Sequence, residues 1–165
     1  MCAVSINTDN NFERLCNVCQ ENEKIKNNNE RIISTIARDL PKKYQDMESD
    51  KIGSINFQPL ESLFISGGVG TGKTLLACSI AKKYIRLNFD IKFLSYPAFI
   101  MQLQGMYRND NGNPFELADE IANFGGENKK YIEQQKPGIL ILDDMGAEKL
   151  TDFVRQITYF ILNER

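Results

Sequence analysis

The sequence predicts an α/β fold, a parallel sheet flanked by helices, and three stretches carry that prediction. Residues 62–74 are an apolar run that ends in a glycine-rich turn and then opens a helix. Residues 91–95 and 139–144 are short apolar runs of the near-continuous kind expected of a parallel strand covered on both faces. The stretches between them carry apolar residues at helical spacing.

Residues 1–40 are polar, rich in asparagine and interrupted by Asn27-Asn28-Asn29, which predicts a partly ordered, partly helical extension. From Glu30 the apolar positions Ile32, Ile33, Ile36, Ala37 and Leu40 recur at helical spacing until Pro41 stops them. One amphipathic helix therefore leads into the main domain, residues 41–165. Cys16-x2-Cys19 has the spacing of a zinc knuckle, but zinc takes four ligands and the chain has no histidine. Cys2 is a third candidate ligand and Cys78, inside a later helix, a poor fourth, so two plain thiols on a helix is the simpler reading.

Residues 62–74 read Ser-Leu-Phe-Ile-Ser-Gly-Gly-Val-Gly-Thr-Gly-Lys-Thr, a strand, a turn and a helix start with the spacing Gly67-x4-Gly72-Lys73-Thr74. This is a P-loop, and each part answers to ATP with Mg²⁺. Gly67, Gly68, Gly70 and Gly72, with Val69 and Thr71 between them, let the backbone turn tightly and aim its N–H groups at phosphate. Lys73 is placed to reach the β- and γ-phosphates, and the Thr74 hydroxyl to ligate Mg²⁺. The helix that begins here adds the positive end of its dipole.

That helix covers residues 73–88, with Leu76, Ile80, Tyr84 and Leu87 as its inner stripe. After the strand at 91–95, Pro97 opens a helix carrying Phe99, Ile100, Leu103 and Met106, and residues 108–114 are almost all turn formers. A helix over 115–124 stops at Gly125-Gly126, a third helical stretch runs to Gln135, and Pro137-Gly138 resets the chain for a strand. The final helix is capped by Thr151 or Asp152 and turns Phe153, Ile157, Phe160 and Ile161 inward.

The strand Ile139-Leu-Ile-Leu-Asp143-Asp144 is the second chemical element. Four apolar residues feeding an aspartate pair, about seventy residues after a P-loop, resemble a Walker B motif. Asp143 is expected to hold the Mg²⁺ hydration shell opposite Thr74, and Asp144 to orient or deprotonate an attacking water. Lys73, Asp143 and Asp144 are thus the candidate catalytic residues.

A net charge of −2 offers no global pull toward nucleic acid, so any such contact needs a local patch. No apolar stretch approaches the ~20 residues of a membrane span, and the N-terminus lacks a signal-peptide pattern, which predicts a cytoplasmic protein. The four cysteines then read as reduced thiols.

Residues 63–77, residues 140–149 and the lead-in Leu40-Pro41-Lys-Lys-Tyr44 together resemble the DnaC/IstB-like branch of the AAA+ ATPases, which contains bacterial and phage helicase loaders. The resemblance covers residues 40–165 and implies an ATP-binding protein of DNA replication. It further implies a replicative helicase as partner, contact with single-stranded DNA, and self-association. The helices between Pro97 and Gln135 would correspond to the family's helical insertion, where Tyr107, Arg108, Lys129 and Lys130 are candidates for nucleic-acid contact. Two alternatives stay open, a nucleotide-binding interaction module without hydrolysis and a transposition helper ATPase.

In that family the last helix is followed by a strand with a polar sensor residue, an arginine finger, a further strand and a small helical lid, and Arg165 is not the finger. The expectation is that the chain corresponds to the N-terminal two thirds of an ATPase domain, incomplete at the C-terminus, with weak or absent turnover. The family's strand order, 5-1-4-3-2, puts the sensor strand between the strands at 63–66 and 139–143. Without it the flanking strands are expected either to keep a gap of ~9.6 Å or to close up and carry Asp143 ~4.8 Å sideways from Thr74.

Overall fold

The computed structural model describes residues 17–54, 62–109, 112–125 and 137–164. Their order is α1 (Asn17–Asp39), two 3₁₀ turns (Lys42–Tyr44 and Asp50–Ser54), α2 (Lys73–Arg86), β1 (Asp90–Ser95), α3 (Tyr96–Asn109), α4 (Pro114–Ala122), β2 (Gly138–Asp143) and α5 (Asp152–Asn163). The fold is mixed α/β, with a two-stranded parallel sheet between helices. None of the helices is long and apolar enough to cross a membrane, among the described residues.

The sheet runs in register from Asp90 beside Gly138 to Ser95 beside Asp143. Its side chains alternate between two cores, as a strand period of two requires. Ile91, Phe93, Ile139 and Ile141 face Cys78, Ile80, Ala81, Tyr84 and Ile85 of α2, with Leu40 at the end of α1. Leu94, Leu140 and Leu142 face the other core, built from Tyr96, Phe99, Ile100 and Leu103 of α3, Ala118 and Ile121 of α4, and Val154, Ile157 and Ile161 of α5. Both faces are therefore covered, which explains why both strands read as continuous apolar runs.

The helix ends follow from local chemistry. Asn113 caps α4 by accepting from Phe115 N–H at 3.0 Å, ahead of Pro114 in the first turn. Thr151 is the cap of α5, accepting from Val154 N–H at 3.3 Å. Helix α2 closes with a Schellman motif: Asn88 takes φ 69°, its N–H reaches the Ile85 carbonyl, and Phe89 N–H reaches the Tyr84 carbonyl. The Tyr84 and Phe89 rings then meet edge to face at 5.2 Å.

Four expectations need correction. The apolar run before the P-loop joins no ladder, and Phe64 is 84% exposed. Among the described residues no strand stands between it and β2 to receive its N–H and C=O groups, so it forms no rung of the sheet. Leu87 is not part of the inner stripe of α2, because the helix ends at Arg86 and the reversal at Leu87-Asn88 turns that side chain outward, 59% exposed. Helix α1 starts at Asn17 and runs through the three asparagines, with Arg31 donating to Asn28 Oδ1 from Nε at 3.4 Å. Its inner stripe is the narrower set Ile32, Ile36 and Leu40, while Ile33 and Ala37 face solvent. The helical stretch expected up to Gln135 lies outside the described residues.

Candidate functional site

The P-loop sits where α2 begins. Gly72 is the N-cap residue of α2 in the left-handed region, φ 83° and ψ 20°, a conformation that glycine adopts without the Cβ penalty. It brings no capping side chain, so none of the first N–H groups of α2 is taken by its N-cap residue's side chain. Gly70 is also left-handed, at φ 76°, and Val69 stands at the tip of the loop, fully exposed. Thr71 Oγ1 donates to the Gly68 carbonyl at 2.9 Å and tightens the turn. The Lys73 ammonium donates to the carbonyls of Gly67 at 2.9 Å and Gly68 at 2.8 Å. Its charge is thus folded back over the loop where phosphate oxygens are expected to compete for it.

The two motifs meet. Asp143 ends β2, and its Oδ1 accepts from the Thr74 hydroxyl at 3.1 Å, from a residue 69 positions earlier in the chain. Two neighbouring oxygens in an octahedral shell with ligand distances of ~2.1 Å stand ~3.0 Å apart, so this pair fits the spacing of Mg²⁺ ligands. The remaining ligands of such a site come from phosphate and water, so one hydroxyl and one carboxylate suffice. Of the two arrangements expected without the sensor strand, closing up is not seen: among the described residues β2 pairs with β1 alone, and Asp143 stays within hydrogen-bond reach of Thr74.

Burial pushes the Asp143 carboxyl above the ordinary carboxylate value, and the Asp144 carboxylate adds to the rise. The Thr74 hydroxyl, the Asp144 backbone N–H and the Lys73 ammonium pull the other way. A carboxylate held in a partly desolvated place beside a second one is electrostatically suited to a cation. Asp144 itself is exposed and left-handed at φ 58°, at the head of a turn in which Ala147 N–H bonds the Asp144 carbonyl at 3.2 Å and Gly146 N–H bonds Glu148 Oε2 at 2.9 Å. Lys73, Thr74 and Asp143 are therefore gathered at one point, with Asp144 on its solvent side.

Two further residues belong to the surroundings, Lys51, which the sequence did not single out, and Cys78, which it offered only as a poor zinc ligand. Lys51 lines a cavity of about 250 Å³ with Ile65, Gly67, Gly72, Lys73 and Leu76. Cys78 lies one turn beyond Thr74 and is fully buried, and burial, with the Asp143 charge second, pushes its thiol up to about 11. Buried in the α2 core, Cys78 is not placed as a ligand for a zinc knuckle. Cys19 lies on α1, and Cys2 and Cys16 lie outside the described residues. Tyr107 is exposed near the end of α3 with its ring centroid 5.9 Å from that of Phe153, and Arg108 beside it is exposed too. Lys129, Lys130 and Arg165 lie outside the described residues.

Comparison of the chain with protein families, with curated proteins and with solved structures found no match.

Proposed function

We propose that the chain binds ATP with Mg²⁺ at the P-loop. The observation that carries this reading is the 3.1 Å approach of Thr74 to Asp143, which brings two separate motifs to the spacing of two ligands of one cation. In the bound state Lys73 would exchange its two loop carbonyls for phosphate oxygens, and Thr74 and Asp143 would hold the metal. Bound Mg²⁺ supplies charge neutralisation along the triphosphate. Asp144 is the residue available to accept a proton from, or orient, an attacking water. On the AAA+ resemblance we place the protein among helicase loaders, with a replicative helicase and single-stranded DNA as partners, and with Tyr107 and Arg108 as the exposed pair offered to a base and a phosphate.

Titration with a fluorescent ATP analogue, with and without Mg²⁺, tests the core of this reading. Saturable binding that strengthens with Mg²⁺ is expected. Absence of binding under both conditions sinks the assignment of the P-loop.

A further inference from the structure

We propose that the turn Asp50–Ser54 is part of the phosphate site and that Lys51 is its second cation, with Lys82 as the residue that positions it. The proposal rests on the nucleotide reading above and adds to it a recognition element from outside the P-loop.

The lining of the cavity is the first observation. Apart from Lys51, its residues belong to the stretch 65–76, the P-loop with its immediate flanks. Lys51 arrives from an earlier part of the chain, so two lysines, Lys51 and Lys73, line one cavity of about 250 Å³. A space that carries two lysines at a helix N-terminus suits a ligand with several negative charges in a row.

The second observation is how the turn is held. Ser79, Lys82 and Arg86 stand at spacings of three and four on α2 and so lie on one face of that helix. Each takes one of three consecutive residues: Ser79 Oγ accepts from Ser49 N–H at 2.8 Å, the Lys82 ammonium donates to the Met47 carbonyl, and Arg86 donates to Glu48 Oε1 at 2.9 Å. Ser49 then builds the turn, since its hydroxyl accepts from Lys51 N–H at 3.3 Å and its carbonyl from Ile52 N–H at 3.2 Å. The helix that starts at the P-loop therefore fixes, through its own side chains, the segment that delivers Lys51 to the same cavity.

Lys82 is the telling member of the stripe. It is only 2% exposed, and an ammonium is costly to bury where leucine or methionine would pack. What it holds is the backbone four residues before Lys51.

The test is a titration of the full chain with fluorescent analogues of ATP, ADP and AMP, using the wild type, Lys51→Ala, Lys51→Arg, Lys82→Met and the double variant Lys51→Ala/Lys82→Met. Lys51→Ala is expected to weaken ATP roughly tenfold, ADP less and AMP hardly at all, because a screened charge acts in proportion to the phosphates it meets. Lys51→Arg should restore most of the loss. Lys82→Met should reproduce the same ordering of ATP, ADP and AMP, and the double variant should be no weaker than Lys51→Ala alone, as for residues acting through one contact. Should Lys82→Met fail to fold, the exposed Lys51 still decides the matter. If Lys51→Ala binds ATP like the wild type while Lys73→Ala does not bind, Lys51 is no part of the site and the P-loop reading stands. An equal loss for ATP and AMP also overturns the proposal. A wild type that binds none of the three removes the P-loop reading and the proposal together.

Discussion

The Thr74 hydroxyl and the Asp143 carboxylate, at opposite ends of a stretch whose described residues form two strands and three helices, stand 3.1 Å apart. The parallel sheet makes that meeting structural rather than local, since β2 carries Asp143 to its C-terminal end while α2 packs on the face of the same sheet. Deleting the Thr74 hydroxyl or neutralising the Asp143 carboxylate should act chiefly on the metal. Thr74→Val and Asp143→Asn are each expected to lower Mg²⁺-dependent affinity for an ATP analogue by roughly tenfold to a hundredfold, leaving Mg²⁺-free affinity within about twofold. Paired titrations with Mg²⁺ and with a chelator read the difference.

Lys73 and Asp144 should separate binding from turnover. Lys73→Ala deletes the cation now resting on the Gly67 and Gly68 carbonyls and should abolish binding, by roughly a hundredfold or more. Asp144→Asn keeps the fold and the Asp143 contact, so nucleotide should bind while any phosphate release falls. Undiminished phosphate release in Asp144→Asn would remove Asp144 from the chemistry.

Cys78 gives a pH dependence with a defined sign. Its thiol ionises near 9.0 when exposed and is pushed to about 11 in the fold, chiefly by burial. The folded state thus holds the proton more tightly, so the associated stability is fully present below pH 9 and is lost as pH rises toward 11. The stability difference between wild type and Cys78→Ala should shift by roughly 2 kcal/mol against the wild type between pH 8 and pH 10.5 in paired denaturant titrations. In the native protein at pH 8, iodoacetamide should leave the Cys78 peptide unmodified by mass spectrometry.

Glycine packing predicts a graded series. A Cβ on Gly138 would come 2.7 Å from the Gly125 Cα, and one on Gly125 would come 2.2 Å from the Gly138 Cα, where φ is also 69°. Gly138→Ala should cost about 2–3 kcal/mol and Gly125→Ala more. Gly105, inside α3 with open space around its Cα, should behave oppositely, Gly105→Ala gaining about 0.5–1 kcal/mol. Thermal unfolding of the three variants orders them.

Arg108 tests the proposed contact with single-stranded DNA. It is exposed at the end of α3 beside an exposed Tyr107, so Arg108→Ala should lower affinity and reduce the slope of log affinity against log salt by about 0.7. Filter binding at several salt concentrations measures both. An unchanged slope assigns the residue to solvent.

Most of the fold could be read in advance where local chemistry and tertiary packing agree. The P-loop turn, the cap at Thr151, the inward stripe of α5 and the strand that ends at Asp143 all obey short-range rules that the packing then reinforces. The failures occur where a distant partner decides. The apolar run before the P-loop has strand composition, yet a strand exists only by pairing. Leu87 fits a helical period, but the left-handed Asn88 ends the helix first. Lys51 carries no sequence signal at all, because its place depends on three side chains of α2 about thirty residues further on.

The contact between Gly125 and Gly138 has a topological consequence. The chain leaves the end of α4 and returns to the start of β2 at nearly the same point in space, where the Gly125 and Gly138 backbones touch. Loop-closure entropy changes by only about 0.6 kcal/mol for each doubling of length. With the two glycines in contact, a change in the number of residues between them is therefore expected to cost little in closure entropy and to leave the register of β1 and β2 as it is.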